Sequence, residues 1–198
     1  MRLHILIYEP STTVHFRPKR GQRALYNGHK KKHALKFQGV VTPDGIFVDL
    51  WGPLDGSHDN VHMLFDSNLV DYLMANCNNA AGDSYCLYGN PAYGLSTHLC
   101  CPFRTALYGP LTPEMSEFNK RMSHCRVAVE WGFKENSRKW TFLSLKTQQK
   151  TLLSPVGVHF RVTTLLSNFH SCLNGGNEIS QFFHVAPPSL SEYLRLHL

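Results

Sequence analysis

The stretch ALKFQGVVTPDGIFVDLW, residues 34–51, decides the fold of this chain. Two runs rich in β-branched and aromatic residues, 34–41 and 45–51, flank the sequence Thr42-Pro43-Asp44-Gly45. Proline at the second position and glycine at the fourth position are typical of a type I turn. The stretch therefore predicts a β-hairpin.

A buried strand over residues 3–9 is predicted before this hairpin, and Gly52-Pro53 begins the turn-rich sequence after it. A helical spacing of apolar residues follows, with Ser67 as a point where the helix restarts. We expect one buried face formed by Val61, Leu64, Phe65, Leu69 and Leu73. Residues 84–88 predict a short strand, and residues 92–110 show no period and are interpreted as irregular.

The clearest helix begins after Thr112, which can cap it, with Pro113 at the first helical position. Its apolar stripe follows a 3-4-3-4 spacing and consists of Met115, Phe118, Met122, Cys125 and Val129. A second stripe is polar and consists of Asn119, Ser123, Arg126 and Glu130. Further helices are predicted at 156–172 and 190–196, the second after a proline-containing linker.

Three strands, a helix, a strand and two helices predict an α/β layer fold with a mixed sheet. Ribonuclease H-like domains use this order of elements, as several unrelated folds could. We expect one domain over residues 1–185 and a C-terminal tail with a short helix over 186–198.

The formal net charge of +6 on the 198 residues is concentrated in one segment. Residues 10–43 contain eight lysines and arginines and no acidic residue. These eight are Arg17, Lys19, Arg20, Arg23, Lys30, Lys31, Lys32 and Lys36. Such a segment attracts polyanions, of which nucleic acid is the commonest and anionic lipid the next. A solvated basic surface without a partner is the alternative interpretation.

The sequence contains no apolar run long enough to span a membrane and no signal peptide at its start. Its six cysteines include no C-x-x-C pair, which favours a reducing compartment over a disulfide framework. The twelve histidines raise the question of zinc, but no histidine or cysteine has the spacing of a zinc motif.

Three acidic residues stand where strands or helices begin or end, or on a polar stripe: Glu9, Asp59 and Glu130. Carboxylates that converge can hold Mg²⁺ or Mn²⁺, and two such ions can cleave a phosphodiester. Two of these acids also have a simpler interpretation. Asp59 can cap a helix, and Glu130 can pair with Arg126 one helical turn earlier.

Several motifs resemble the nuclease domain of PIF/Harbinger-type DDE transposases. They lie at residues 22–30, 33–38, 89–94 and 126–133 and at Gly52-Pro53 and His58-Asp59. The resemblance follows the family's order over nearly the whole chain. It implies a ribonuclease H-like fold, acidic residues that hold Mg²⁺ or Mn²⁺, and cleavage and transfer of DNA strands.

The resemblance also assigns four positions to the metal site. Glu9 stands where the family has aspartate, Asp59 and Glu130 are intact, and Asn90 replaces an aspartate. Asparagine has no charge, so it weakens a site for a hard cation.

We therefore expect a transposase-derived, metal-dependent DNA endonuclease with impaired activity, acting in the nucleus. A separate DNA-binding partner protein is also expected, because the helical region that usually precedes this domain is not in the sequence. This start suggests a truncated or degenerate copy. A catalytically dead DNA-binding module and a zinc-stabilised interaction protein are the alternatives.

Overall fold

The computed structural model describes residues 6–15, 22–28, 31–78, 82, 84–89, 93–94, 96–143 and 155–197. Within these residues the strands are β1 Leu6–His15, β2 Tyr26–Asn27, β3 Lys32–Val41, β4 Phe47–Asp55, β5 Leu87–Tyr88 and β6 Leu99–Cys100. The helices there are α1 Gln22–Leu25, α2 Asn60–Asp66, α3 Leu69–Asn76, α4 Thr105–Tyr108, α5 Pro113–Lys139, α6 Val156–Leu173, α7 Glu178–Phe183 and α8 Leu190–His197. A 3-10 turn at Thr141–Leu143 follows α5.

The sheet has the order β4-β3-β1-β5-β6, and β2 pairs with the first two residues of β3. β3 runs antiparallel to both β1 and β4, whereas β5 is parallel to β1 and β6 is parallel to β5. The predicted mixed sheet of an α/β protein is therefore confirmed. Since β1, β4, β5 and β6 run in one direction, their carboxyl ends point toward the same edge of the sheet.

The predicted hairpin is formed by β3 and β4. The amide of Gly45 donates to the carbonyl oxygen of Thr42 at 2.9 Å, which closes the turn. Gly45 has a φ of 81°, and a side chain there would collide with Asn177, so this turn requires glycine. β1 extends beyond the predicted residue 9, because a shift of register between Pro10 and Thr12 lets its pairing with β3 continue to His15.

The sheet separates two hydrophobic cores. Alternate residues of β3 face opposite sides: Phe37 and Val41 pack under α5 and α6, while Val40 packs under α2 and α3. The first core contains Phe37, Val41, Phe47, Ala128, Val129, Phe133, Leu143, Val156, Phe160 and Ile179. The second core contains Val40, Leu64, Leu69, Leu73, Leu87 and Leu99.

α5 crosses the sheet in close contact with Gly39. A Cβ atom on Gly39 would lie 2.7 Å from Cζ of Phe133 and 3.2 Å from Cε1 of Phe47. Glycine at this position therefore lets α5 approach β3 directly. Gly39 is also the residue of β3 that pairs with Glu9 of β1.

The helix predicted after the hairpin restarts near Ser67, as expected. α2 ends at Asp66, Asn68 adopts a left-handed conformation with a φ of 51°, and α3 begins at Leu69. The prediction that Phe65 is buried is wrong, because its side chain is 72% exposed. The buried residues of α2 are Met63 and Leu64, so this face of the helix packs on the sheet and Phe65 lies outside it.

The interpretation of residues 92–110 as irregular is wrong in part, because β6 and α4 lie there. β6 is a two-residue strand held by pairing with β5, a contact that leaves no local period in the sequence. α7 was not expected either. Asn177 caps it, because its Oδ1 accepts from the amides of Ile179 and Ser180 at 3.0 Å each.

The C-terminal helix α8 packs onto the rest of the protein. Tyr193 is buried in a small cluster with Ile46 and Cys172, and its hydroxyl accepts a hydrogen bond from Nδ2 of Asn168 at 3.0 Å. None of the described helices is long and apolar enough to cross a membrane.

Candidate functional site

Glu130 lies on α5, which forms as the sequence predicts. Oγ1 of Thr112 accepts from the amide of Met115 at 3.3 Å, and Pro113 occupies the first turn. Met122 and Val129 are buried on the apolar stripe. Glu130 points away from this stripe, and its Oε1 lies 3.6 Å from Nη1 of Arg126, so the predicted ion pair is present.

Tyr88 connects the carboxyl end of β5 to the polar stripe of α5. Its ring packs edge-on against Phe118 with the centroids 6.2 Å apart. Burial raises the pKa of Tyr88 to about 12 despite the proximity of Ser123 and Arg126, which act to lower it. The polar stripe that carries Arg126 and Glu130 therefore faces the end of β5.

Glu9 lies in β1 beside the same strand end. Ile7 of β1 pairs with Tyr88, and Glu9, two residues later, pairs with Gly39. α5 covers Gly39 through Phe133, so the backbone of Glu9 lies beneath the helix that carries Glu130. The side chain of Glu9 and all of Asn90 fall outside the part of the structure that is described.

Asp59 caps α2, as one of its two interpretations predicts. Its Oδ1 accepts from the amide of His62 at 2.7 Å, and its side chain is exposed. The adjacent carbonyl of His58 accepts a hydrogen bond from the ammonium group of Lys36 on β3. Because β4 leads into this turn, Asp59 lies toward the edge where the carboxyl ends of β1 and β5 point.

The described acids Asp59 and Glu130 belong to helices that pack on opposite faces of the sheet. α2 covers the face of the sheet opposite α5, so Asp59 and Glu130 can share a site only at the sheet edge. Among the described side chains, no three histidine, cysteine, aspartate or glutamate residues come together as a metal site. Asp59 and Glu130 have the oxygen ligands that Mg²⁺ and Mn²⁺ prefer. The convergence of these acids with Glu9 stays a prediction.

The basic segment is described in part. Arg23 and Lys31 are exposed, Lys32 lies in β3, and Arg17, Lys19, Arg20 and Lys30 fall outside the described residues. Lys36 does not belong to an exposed basic surface, because it is only 7% exposed and its ammonium group binds the carbonyl of His58. The alternation along β3 turns it toward α2.

The neighbouring thiols of Cys86 and Cys100 could not be singled out from the sequence, because no motif joins them. All six cysteines are free. Cys86 immediately precedes β5, and Cys100 is the residue of β6 that pairs with Tyr88. The Cys86 side chain lowers the pKa of Cys100 to about 7, whereas the pKa of Cys86 is raised. Cys100 also acts to raise the pKa of Tyr88, so this thiol lies near the polar stripe of α5.

Comparison with protein families identifies a match. The family described as DDE superfamily endonuclease matches residues 11–168, a range that includes Asp59, Asn90 and Glu130 and begins two residues after Glu9. No curated protein and no solved structure matches the chain. Because the match covers most of the 198 residues, this chain belongs to the DDE superfamily endonuclease family.

Proposed function

We propose that this chain is a transposase-derived DNA endonuclease of the PIF/Harbinger type, dependent on a divalent metal and impaired in activity. The observation that carries this proposal is the family match over residues 11–168, which spans the two intact acids Asp59 and Glu130. The sheet order supports it. An antiparallel unit of three strands followed by two parallel strands, with helices on both faces, is the arrangement expected of a ribonuclease H-like fold.

Asp59, Glu130 and Glu9 are the residues that would hold Mg²⁺ or Mn²⁺ in this proposal. Bound there, the metal would polarise the phosphodiester and activate a water molecule. Arg126 pairs with Glu130 and keeps its carboxylate directed along the polar stripe of α5. The amide of Asn90 supplies no charge at the family's acidic position, so we expect weak metal binding and slow cleavage.

The substrate follows from the family and from the charge of the chain. A nuclease of this family acts on DNA, and the segment from Arg17 to Lys32 supplies seven basic residues without an acidic one. Such a segment binds phosphates rather than base edges, so it contributes affinity without sequence specificity. We propose that recognition of a particular DNA site comes from a separate DNA-binding partner and that the protein acts in the nucleus.

Nicking of supercoiled plasmid DNA in the presence of Mn²⁺ tests the proposal. The variants are Asp59→Asn, which keeps the helix cap, and Glu130→Gln, which keeps the length of the side chain. Glu117→Gln is the matched control, because Glu117 is also an exposed glutamate of α5, with its carboxylate 2.7 Å from Arg121. We expect both site variants to lose nicking and the control to keep it.

A catalytically dead DNA-binding module is the second candidate, and Asn90 favours it. The two candidates differ in one result. Wild-type protein that binds DNA but shows no Mn²⁺-dependent nicking above that of Asp59→Asn would support the binding module and contradict the endonuclease.

A further inference from the structure

α6 carries apolar side chains on the face that points to solvent. The exposed fractions are 57% for Val158, 48% for Val162 and 45% for Leu165. Their spacing of four and then three residues places them on one stripe of the helix. The buried face of α6 includes four polar residues: Thr163, Thr164, Asn168 and Ser171. A helix that packs only inward has the reverse distribution, so the outer face of α6 is typical of a helix with a second packing partner.

The C-terminal end of this stripe already packs against another element. Phe169, four residues after Leu165, is half-buried, and its ring lies edge-on to the ring of Tyr193 on α8 with the centroids 5.7 Å apart. In the part of the chain that the structure describes, no such element covers Val158 and Val162, which stay exposed. The stripe therefore continues a packing surface of the protein into solvent.

An open groove beside the stripe separates α6 from β4, the last strand on its side of the sheet. Leu165 of the stripe lines this groove together with Val48 of β4, whose side chain is exposed. The apolar surface of α6 therefore continues onto β4. An exposed apolar surface that extends over two elements is typical of a site where another protein packs.

The groove also contains one acidic and one basic side chain, Asp49 and Arg161. Burial raises the pKa of Asp49, and no cation among the described residues acts to lower it. The guanidinium group of Arg161 donates to the carbonyl of Gly52 and has further N–H groups for another acceptor. A surface that carries one charge of each sign in this way can be complementary to a second copy of itself.

We propose that this face of α6 and β4 is the interface of a two-fold dimer, in which α6 packs antiparallel against α6 of a second copy. The two-fold axis keeps the groove of one copy beside the groove of the other, so Arg161 of each copy faces Asp49 of the other. The apolar stripes form the buried centre, and the two ion pairs lie at the rim. The spacing of four and three residues is also the spacing with which two helices interlock. The self-complementary charges favour a second copy over a different protein, and the dimer does not depend on the proposed nuclease activity.

Sedimentation equilibrium of the full chain, freed of nucleic acid, tests the proposal. We expect the wild type to be a dimer and both Val162→Glu and Leu165→Glu to be monomers, because each places charges in the apolar centre. Leu107→Glu is the control and should stay dimeric, since Leu107 is an exposed leucine on α4, outside this face. The thermal midpoint of each variant shows that it is folded. A monomeric wild type, or a dimer that persists in both stripe variants, would overturn the proposal.

Exchange of the two charges tests the ion pairs between the copies. Asp49→Arg and Arg161→Asp should each lower the affinity of the dimer about tenfold or more, because like charges then face each other. An equimolar mixture of the two variants should form the dimer again, since both pairs of opposite charge are restored; monomers in the mixture would contradict the two-fold arrangement. Arg161→Asp also loses the bond to Gly52. If it does not fold, Asp49→Arg decides alone, because an unchanged dimer affinity in that variant contradicts the ion pairs.

Discussion

Asn168 of α6 binds both backbone groups of Phe47 on β4. Its Oδ1 accepts from the amide of Phe47 at 3.0 Å, and its Nδ2 donates to the carbonyl oxygen of Phe47 at 2.9 Å. β4 is the last strand on its side of the sheet, so the side-chain amide takes the place of a neighbouring strand. Farther along, the guanidinium group of Arg161 donates to the carbonyl of Gly52. Polar side chains of α6 therefore bind the backbone groups on the outer side of β4.

Replacement of Asn168 tests how much these hydrogen bonds contribute to the free energy of unfolding. Asn168→Ala leaves the amide and carbonyl of Phe47 without this partner in a buried position and removes the bond to Tyr193. We expect a loss of about 2–4 kcal/mol in the free energy of unfolding, measured by urea denaturation. Asn174→Ala is the control, because Asn174 is exposed and bonds only its own helix, to the carbonyl of His170. Equal losses in the two variants would contradict this role of Asn168.

Cys100 is predicted to be the thiol that reacts near neutral pH. The Cys86 side chain lowers the pKa of Cys100 from 9.0 to about 7, so the thiolate is favoured in the folded state. Its rate of alkylation by iodoacetamide, followed by mass spectrometry of the peptides, should rise with a midpoint near pH 7. In Cys86→Ser the midpoint should move upward. A midpoint near 9 in the wild type would contradict the prediction.

The lowered pKa of Cys100 also predicts how the stability of the protein depends on pH. A thiol whose pKa is lower in the folded state than in the unfolded state stabilises the fold fully above the unfolded value of 9.0. This contribution is lost as the pH falls through about 7. Cys100→Ser should therefore make the free energy of unfolding less dependent on pH between about 7 and 9.0. The same pH dependence in the variant and the wild type would contradict a stabilising role of the Cys100 thiolate.

DNA binding through the basic segment should depend strongly on salt. If about five of its side chains contact phosphates, the logarithm of the affinity should fall against the logarithm of the salt concentration with a slope near −4 to −5. Removal of one contact, by Arg23→Gln or Lys31→Gln, should reduce the steepness by about 0.9. Fluorescence anisotropy with a labelled duplex at several salt concentrations measures this slope for the wild type and each variant.

Two other lysines serve as comparisons: Lys120, which lies outside the basic segment, and Lys36, which is buried at its end. Lys120→Gln removes an exposed charge from α5 and should leave the slope unchanged. Lys36→Gln should affect the stability of the protein rather than the slope, because Lys36 is buried and its ammonium group donates to the carbonyl of His58. A slope that responds to Lys120 as strongly as to Arg23 would refute a localised DNA-binding segment.

Local signals in the sequence were sufficient for the hairpin and the long helices. The turn at Gly45 and the cap at Thr112 depend on residues close in sequence, so both were predicted and confirmed. α6 was predicted over 156–172 and is observed as Val156–Leu173.

Features that depend on distant contacts could not be predicted in this way. Lys36 appears in the sequence as part of a basic run, and only the alternation of β3 against α2 shows that it points inward. β6 exists because it pairs with β5. For the candidate site, the sequence predicted the cap at Asp59 and the ion pair of Glu130, since both are local, but not the thiol beside Tyr88.

Restoration of the family's acidic residues tests whether the chain is an impaired nuclease. Asn90→Asp adds one negative charge where the family has aspartate, and Glu9→Asp shortens the carboxylate by one methylene group. The added charge strengthens the hold on a divalent cation. The shorter side chain moves its oxygens by about an ångström, a displacement that can change a rate by about 100-fold. We expect the double variant to nick plasmid DNA with Mn²⁺ faster than the wild type, and Glu130→Gln in the restored protein to abolish the gain. Wild-type protein that already cuts as fast as the restored protein would show that Asn90 and Glu9 do not impair it, and that this chain works with a different set of ligands.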